Sequence, residues 1–288
     1  MMTTPVRKYS KPPLLVAVKT PTTKQSTIVL RNEAKVLSRL REVGDNEEHI
    51  AIFHGIIDND SALVLTAHQL SLEDHIRARG TSVTDLVSPI IGGALVWLDL
   101  ADRLVSTLDW LHNEALIVHG DIKPGNIVLQ VRPDAPAKNK FAFQPLFIDF
   151  SSSHRLDTNE ITENTLSAVT LEYTAPELLT VAVMKDKLST ATVASDIFSM
   201  AVTLLVAATG DLQVYTGFSQ FQKRELARQG WDILNNVRSL SARAPRHGVV
   251  SRVLERAVLK KDMGRITTSA WNQLIQAITL DVEGQSKL

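Results

Sequence analysis

The sequence predicts an α+β chain, either one large domain or two lobes around a cleft, with short strands leading and amphipathic helices following. Three observations predict it. The chain has 288 residues, 44% of them hydrophobic, which is enough for a substantial core. Three short apolar segments stand near the start: Leu14 to Lys19, Ile50 to Ile57 and Ala62 to Thr66. The last two are joined by Asp58-Asn59-Asp60-Ser61, a hairpin signal. The third observation is helical period further on. It is clearest from Ala94 to His112, where Leu98, Ala101, Leu104, Val105, Leu108 and Leu111 recur every three or four residues.

Composition narrows the function classes. Lys plus Arg equals Asp plus Glu at 31 each, so the formal net charge is zero and no nucleic-acid footprint is expected. There is no Cys, which excludes disulfides and thiolate metal sites. Met1 to Tyr9 lacks the apolar core of a secretory signal. The longest apolar run, Ile197 to Ala208, is too short for a bilayer and reads as a buried helix. An intracellular protein, cytoplasmic or nuclear, without a membrane partner is the expectation.

In chain order, residues 1–13 are a polar, basic lead-in ending at Pro12-Pro13. Val16-Ala17-Val18-Lys19 is a short strand closing on a lysine, a commonplace pattern by itself. From Ser26 to Glu42 the period is helical, and Glu33, Leu37 and Leu40 share one face. A carboxylate on an apolar face wants a cationic partner; a solvated surface glutamate is the plainer alternative. Ser71-Leu72-Glu73-Asp74 reads as a helix start capped by Ser71. His112 ends the long helix and reads as an ordinary C-terminal helix residue.

The central stretch is Ile117-Val118-His119-Gly120-Asp121-Ile122-Lys123-Pro124-Gly125-Asn126-Ile127-Val128-Leu129. Apolar runs flank a turn that holds a carboxylate, an ammonium and an amide within six residues. A polar β-turn between two strands is the plainer reading. Ile127 to Leu129 and Pro145 to Ile148 read as strands, joined by a polar connection from Gln130 to Gln144 taken as a surface insertion. Phe147-Ile148-Asp149-Phe150-Ser151 follows, then a Ser/Thr-rich segment from Ser152 to Leu171. Beyond Ala175-Pro176-Glu177 come helices around Ser195 to Val202, with Gly210 as C-cap, and at Val249 to Leu259 and Ser269 to Ile278.

These marks, in this order, resemble the eukaryotic protein kinases from about Leu14 to Leu280. Asp121 and Asn126 have the spacing of the kinase catalytic loop. Val16-Ala17-Val18-Lys19 resembles the strand whose lysine meets the ATP phosphates, and Asp149-Phe150-Ser151 resembles the Asp-Phe-Gly element. Lys123 and Thr170 look like the serine/threonine type. The resemblance implies a bilobal kinase-like fold over 14–282, with a small β-rich N-lobe at about 14–68, a larger helical C-lobe at 69–282 and a tail at 283–288. It implies ATP, Mg2+ and a protein substrate bearing Ser or Thr.

It also implies roles. Asp121 would accept the hydroxyl proton and Lys123 would steady the γ-phosphate. Lys19, paired with Glu33, would orient the α- and β-phosphates. Asn126 and Asp149 would hold magnesium. Ala17, Leu65, Ala67 and Val128 would line the nucleotide pocket, with Thr66 to Gln69 as the hinge whose backbone groups bond the adenine. His119, Phe150, Asp196 and the pair Glu177–Arg265 would be structural, Asp196 bracing the catalytic loop.

Three departures stand out. No glycine precedes Lys19, whereas the family places a Gly-rich hairpin there, so the expectation is a chain that begins inside the domain or a reduced kinase. Gly120 replaces the arginine that usually precedes the catalytic aspartate, and Ser151 replaces a glycine. Two alternatives to an active serine/threonine kinase follow. One is a kinase-fold pseudoenzyme or fragment serving as a binding module. The other is a small-molecule kinase of related fold, although those usually lack a segment like Ala175-Pro176-Glu177.

Overall fold

The computed structural model describes residues 15–57, 62–80, 90, 92–132, 139–157, 170–180, 190–240 and 246–285. Most of the expected Ser/Thr-rich segment and the expected hairpin turn after Ile57 lie outside these residues. The architecture is α+β, with a small β-rich N-terminal part and a larger helical C-terminal part.

Strands β1 (Val16–Lys19), β2 (Phe53–Ile57) and β3 (Ala62–Thr66) form an antiparallel sheet in the order β1-β3-β2. Ala17 sits opposite Leu65 and Lys19 opposite Leu63. Among the described residues nothing pairs with the outer edge of β1, and Val16 and Val18 are exposed there. The second strand is shorter than Ile50 to Ile57. Ile50 and Ala51 instead meet Phe147, where Ala51 N–H donates to Phe147 O and Phe147 N–H donates to His49 O. These bonds tie the small part to the large one.

Helix α1 (Lys24–Glu42) packs on that sheet. Thr23 and Ser26 close a capping box at its start. Its inner stripe is Leu30, Glu33, Ala34, Leu37 and Leu40, all buried, as the helical period predicts. Each fully buried leucine contributes about 1.5–3 kcal/mol. Helix α2 (Leu72–Gly80) starts as expected, with Ser71 Oγ accepting from Asp74 N–H and donating to its carboxylate.

The large part is organised on α3 (Ala94–Asn113) and α4 (Val193–Thr209). The expected stripe of α3 is buried throughout. Trp97 Nε1 donates to Leu204 O, so this core indole spends its one donor on α4. Helix α4 carries a Thr192–Ser195 capping box and ends at Gly210, whose φ of 75° suits a glycine C-cap. Two-stranded ladders join β4 (Ile117–Val118) to β7 (His154–Arg155) and β5 (Ile127–Val131) to β6 (Phe143–Phe147). Helices α5 (Gln220–Arg228), α6 (Ile233–Leu240), α7 (Val249–Leu254) and α8 (Thr268–Gln285) complete it, α8 lying along α3.

Two expectations need correction. Gln130 to Gln144 is not wholly a surface insertion. Both ends continue the β5–β6 ladder, and Phe141 is buried with its N–H bonded to Asp99 Oδ2. The helix from Val249 ends at Leu254 rather than Leu259, because the chain turns there, with Ala257 N–H bonding back to Leu254 O. Among the described residues, no helix is long and apolar enough to cross a membrane.

Candidate active site

The site begins at Lys19, the last residue of β1. Its ammonium lies 2.7 Å from Glu33 Oε2 on α1 and 2.7 Å from Asp149 Oδ1 beyond β6. Glu33 is 2% exposed, so its carboxylate needs this cation. Burial pulls the Lys19 ammonium down, but the carboxylates of Glu33 and Asp149 outweigh that and hold it above its ordinary value. Burial raises Glu33, against the attraction of Lys19. Asp149 is pushed up by burial yet ends below the usual carboxylate range, because Lys19 attracts and bonds it and Ser151 donates to it.

Asp149 has a φ of 62° and opens a single 3₁₀ turn, Phe150–Ser152. Ser151 does not share that left-handed backbone, so serine fits where the family has glycine. Phe150 is buried and stacks at a tilt on His119, 4.9 Å between ring centres.

The stretch from Ile117 to Leu129 folds as β4, a polar turn, and the start of β5. Asn126 Nδ2 donates to both Asp121 O, at 2.8 Å, and Asp121 Oδ2, at 2.9 Å. Lys123 Nζ donates to the same Oδ2 at 2.7 Å and to Thr170 Oγ1 at 3.4 Å. Ile148 N–H donates to Asn126 O, which joins this turn to Asp149. The side chains therefore form two bonded clusters, Glu33–Lys19–Asp149 and Asn126–Asp121–Lys123–Thr170, linked through the backbone by the Ile148 N–H bond to Asn126 O.

A second layer holds the turn. Asp196 near the start of α4 is buried and accepts from His119 N–H at 2.8 Å and Gly120 N–H at 3.0 Å. It also accepts from His112 Nε2 at 3.0 Å. Burial would raise this carboxyl, but the bond from His112, the charges around it and the Gly120 N–H hold it low. His112 is thus not merely a helix end; it is a buried partner of Asp196. The His119 ring donates from Nε2 to Ile148 O and accepts at Nδ1 from Asp121 N–H, which fixes its tautomer. Ser153 Oγ donates to His119 O. Gly120 has a φ of 80°, and a Cβ there would stand 2.6 Å from Ser152 O, so only glycine fits without movement.

Arg265 reaches Glu177 with two bonds, of 2.6 and 2.8 Å, and also donates to Ala194 O and Leu259 O. Its side chain is fully buried. The pocket-lining expectations stand as follows. Ala17 is exposed, Leu65 opposite it is half-buried, and Val128 is buried in β5. Ala67 N–H is occupied: it donates to Leu15 O at 2.9 Å, one rung beyond Val16 and Thr66 in the β1–β3 ladder.

The family profile for the protein kinase domain matches residues 11–273, nearly the whole chain. The chain belongs to the protein kinase family. No curated protein matches it. As a protein kinase domain it is a phosphotransferase, and the fold and the order of its elements accord with that. Sequence reasoning missed His112, Ser153 and the Leu15–Ala67 bond of this kinase. The first two carry no signal beyond a polar residue near an apolar run, and the third is a backbone bond.

Proposed function

We propose that this kinase transfers the γ-phosphate of ATP to serine or threonine hydroxyls of proteins. The observation that carries the reading is the pair of bonded clusters, Glu33–Lys19–Asp149 and Asn126–Asp121–Lys123, which the Ile148 N–H bond to Asn126 O holds side by side. Phosphoryl transfer is mostly positioning and charge stabilisation, and these are the groups it needs. Lys19, anchored by Glu33, orients the α- and β-phosphates. Asp121 accepts the hydroxyl proton, and Asn126 fixes its rotamer by bonding Oδ2. Lys123, touching Asp121 and Thr170, holds the γ-phosphate beside the incoming hydroxyl. The contact with Thr170 supports the serine/threonine assignment.

The donor set suits magnesium. Asp149 supplies a carboxylate, and Asn126 spends its amide nitrogen on Asp121, which leaves its amide oxygen as the ligand atom. Two hard oxygen ligands fit an ion that keeps several waters. Bound there, Mg2+ would neutralise charge on the phosphates.

One observation favours a second reading, a binding module without turnover. Within Thr66 to Gln69, the segment expected to offer backbone groups to adenine, the Ala67 N–H is bonded to Leu15 O. Phosphoamino-acid analysis separates the readings. The chain is incubated with a generic protein and ATP labelled in the γ-phosphate, with magnesium and with a chelator. Label in phosphoserine and phosphothreonine, lost on chelation, supports the kinase; label in phosphotyrosine or none contradicts it.

A further inference from the structure

The outer face of α1 carries a feature that phosphoryl transfer does not use. Arg31, Lys35 and Arg39 recur at every fourth residue and so share one face, opposite in role to the buried stripe that presents Glu33. They line one open groove of about 450 Å³ together with Arg155 of β7, Ile56 of β2 and Glu42. Four cations thus face one anion in the lining. Asp157 adds a second anion nearby, bonded to Arg155 at 2.8 Å by both oxygens.

Like charges at this spacing cost a helix about 0.2–0.5 kcal/mol per pair. Asp157 attracts Arg39 as well as bonding Arg155. Glu42 stands 3.7 Å from Arg39, a loose pair between half-exposed groups. Arg39 Nε is buried and has no hydrogen-bond partner among the described residues. A buried donor of this kind calls for an acceptor. Ile56 is 42% exposed at the groove, an apolar spot beside the charges. From Arg31 to Arg39 the stripe runs about 12 Å at 1.5 Å per residue, the reach of an extended segment of about four residues rather than of one small anion.

We propose that this groove docks an acidic peptide segment of a partner protein, its carboxylates on Arg31, Lys35 and Arg39 and one apolar side chain on Ile56. Charge complementarity and the length of the stripe choose this occupant. The groove joins α1 to β7, so the peptide would hold the helix that presents Glu33 against the segment that follows Asp149. Binding itself does not depend on the catalytic reading, and none of the groove residues belongs to the bonded clusters around Lys19 and Asp121.

The test is fluorescence polarisation with a fluorescein-labelled Glu-Glu-Leu-Glu-Glu peptide titrated with the full chain. Saturable binding is expected, weakening several-fold as NaCl rises from about 0.05 M to about 0.5 M. The double variant Lys35→Glu, Arg39→Glu should weaken it about tenfold or more, with an unchanged far-UV spectrum. If charge reversal unfolds the helix, Lys35→Gln, Arg39→Gln serves instead and should show a several-fold loss. Absence of binding, or binding that neither variant alters, overturns the proposal. So does an oligouridylate that binds as tightly as the peptide, which would mark an unspecific polyanion surface. A change of sedimentation mass between wild type and variant overturns it too, because the occupant would then be a second copy.

Discussion

The ammonium of Lys19 bonds Asp149 Oδ1 across 130 residues of chain, at the same 2.7 Å at which it bonds Glu33. One cation therefore ties β1, α1 and the turn after β6 to each other. The Phe150 N–H adds a bond to the Glu33 carboxylate, so α1 and the Asp149 turn are joined twice. The placing of Asp149 and the packing of α1 on the small sheet are thus carried by the same contact.

Replacing Lys19 tests that coupling. Lys19→Met leaves the Glu33 carboxylate buried without its cation, a loss of about 1–3 kcal/mol. Urea unfolding should show this, and titration with a fluorescent ATP analogue should show weakened binding. The double variant Lys19→Met, Glu33→Gln should recover part of the stability but not the binding. Two unchanged measurements for the single variant would remove Lys19 from the site.

The pair Glu177–Arg265 should be asymmetric. Glu177→Ala leaves a fully buried guanidinium with only the Ala194 and Leu259 carbonyls as acceptors and should cost up to about 3 kcal/mol. The double variant Glu177→Ala, Arg265→Met should cost less than Glu177→Ala alone. Chemical denaturation of the three proteins measures the difference, and equal costs would show that the ion pair does not hold the large part together.

Gly120 is required by its backbone. Gly120→Ala places a Cβ 2.6 Å from Ser152 O at a φ of 80°, and left-handed backbone alone costs about 1–2 kcal/mol for a non-glycine residue. A larger side chain, arginine included, meets the same carbonyl. Without an arginine there to grip a phosphate, activity should survive phosphatase treatment. A lost activity restored by rephosphorylation would contradict this.

Asp196 predicts a pH dependence. Its folded carboxyl lies below the ordinary 3.8 despite burial. The stability it contributes, roughly 1.5–3 kcal/mol, is therefore complete above the ordinary range and is lost as pH falls through the folded value. The difference in unfolding free energy between wild type and Asp196→Asn should be constant above about pH 5 and shrink below about pH 4. A difference that grows on acidification would have the wrong sign.

Much of this was legible in residue order. The period of α1 and α3 told which faces are buried, and Glu33 on an apolar stripe told that a cation must meet it. The Asp121–Asn126 spacing located the polar turn. What was not legible depends on contacts distant in sequence or on backbone alone. His112 meets Asp196 across 84 residues, and nothing in a helix end announces that. Phe141 is buried because its N–H is held by Asp99 and His75 packs on its ring, although Asn139 and Lys140 just before it are polar. The Leu15–Ala67 bond involves no side chain. Gly120 is an absence in the sequence and a steric necessity in the fold.

The most direct test of the central claim is transfer of labelled γ-phosphate from Mg-ATP to a generic Ser/Thr protein substrate, wild type against Asp121→Ala. A positioned base is worth roughly 10²–10⁴-fold. The account predicts transfer by the wild type and a loss of that size in the variant, with unfolding unchanged within about 1 kcal/mol. No transfer by folded wild type, or equal transfer by both, would contradict it.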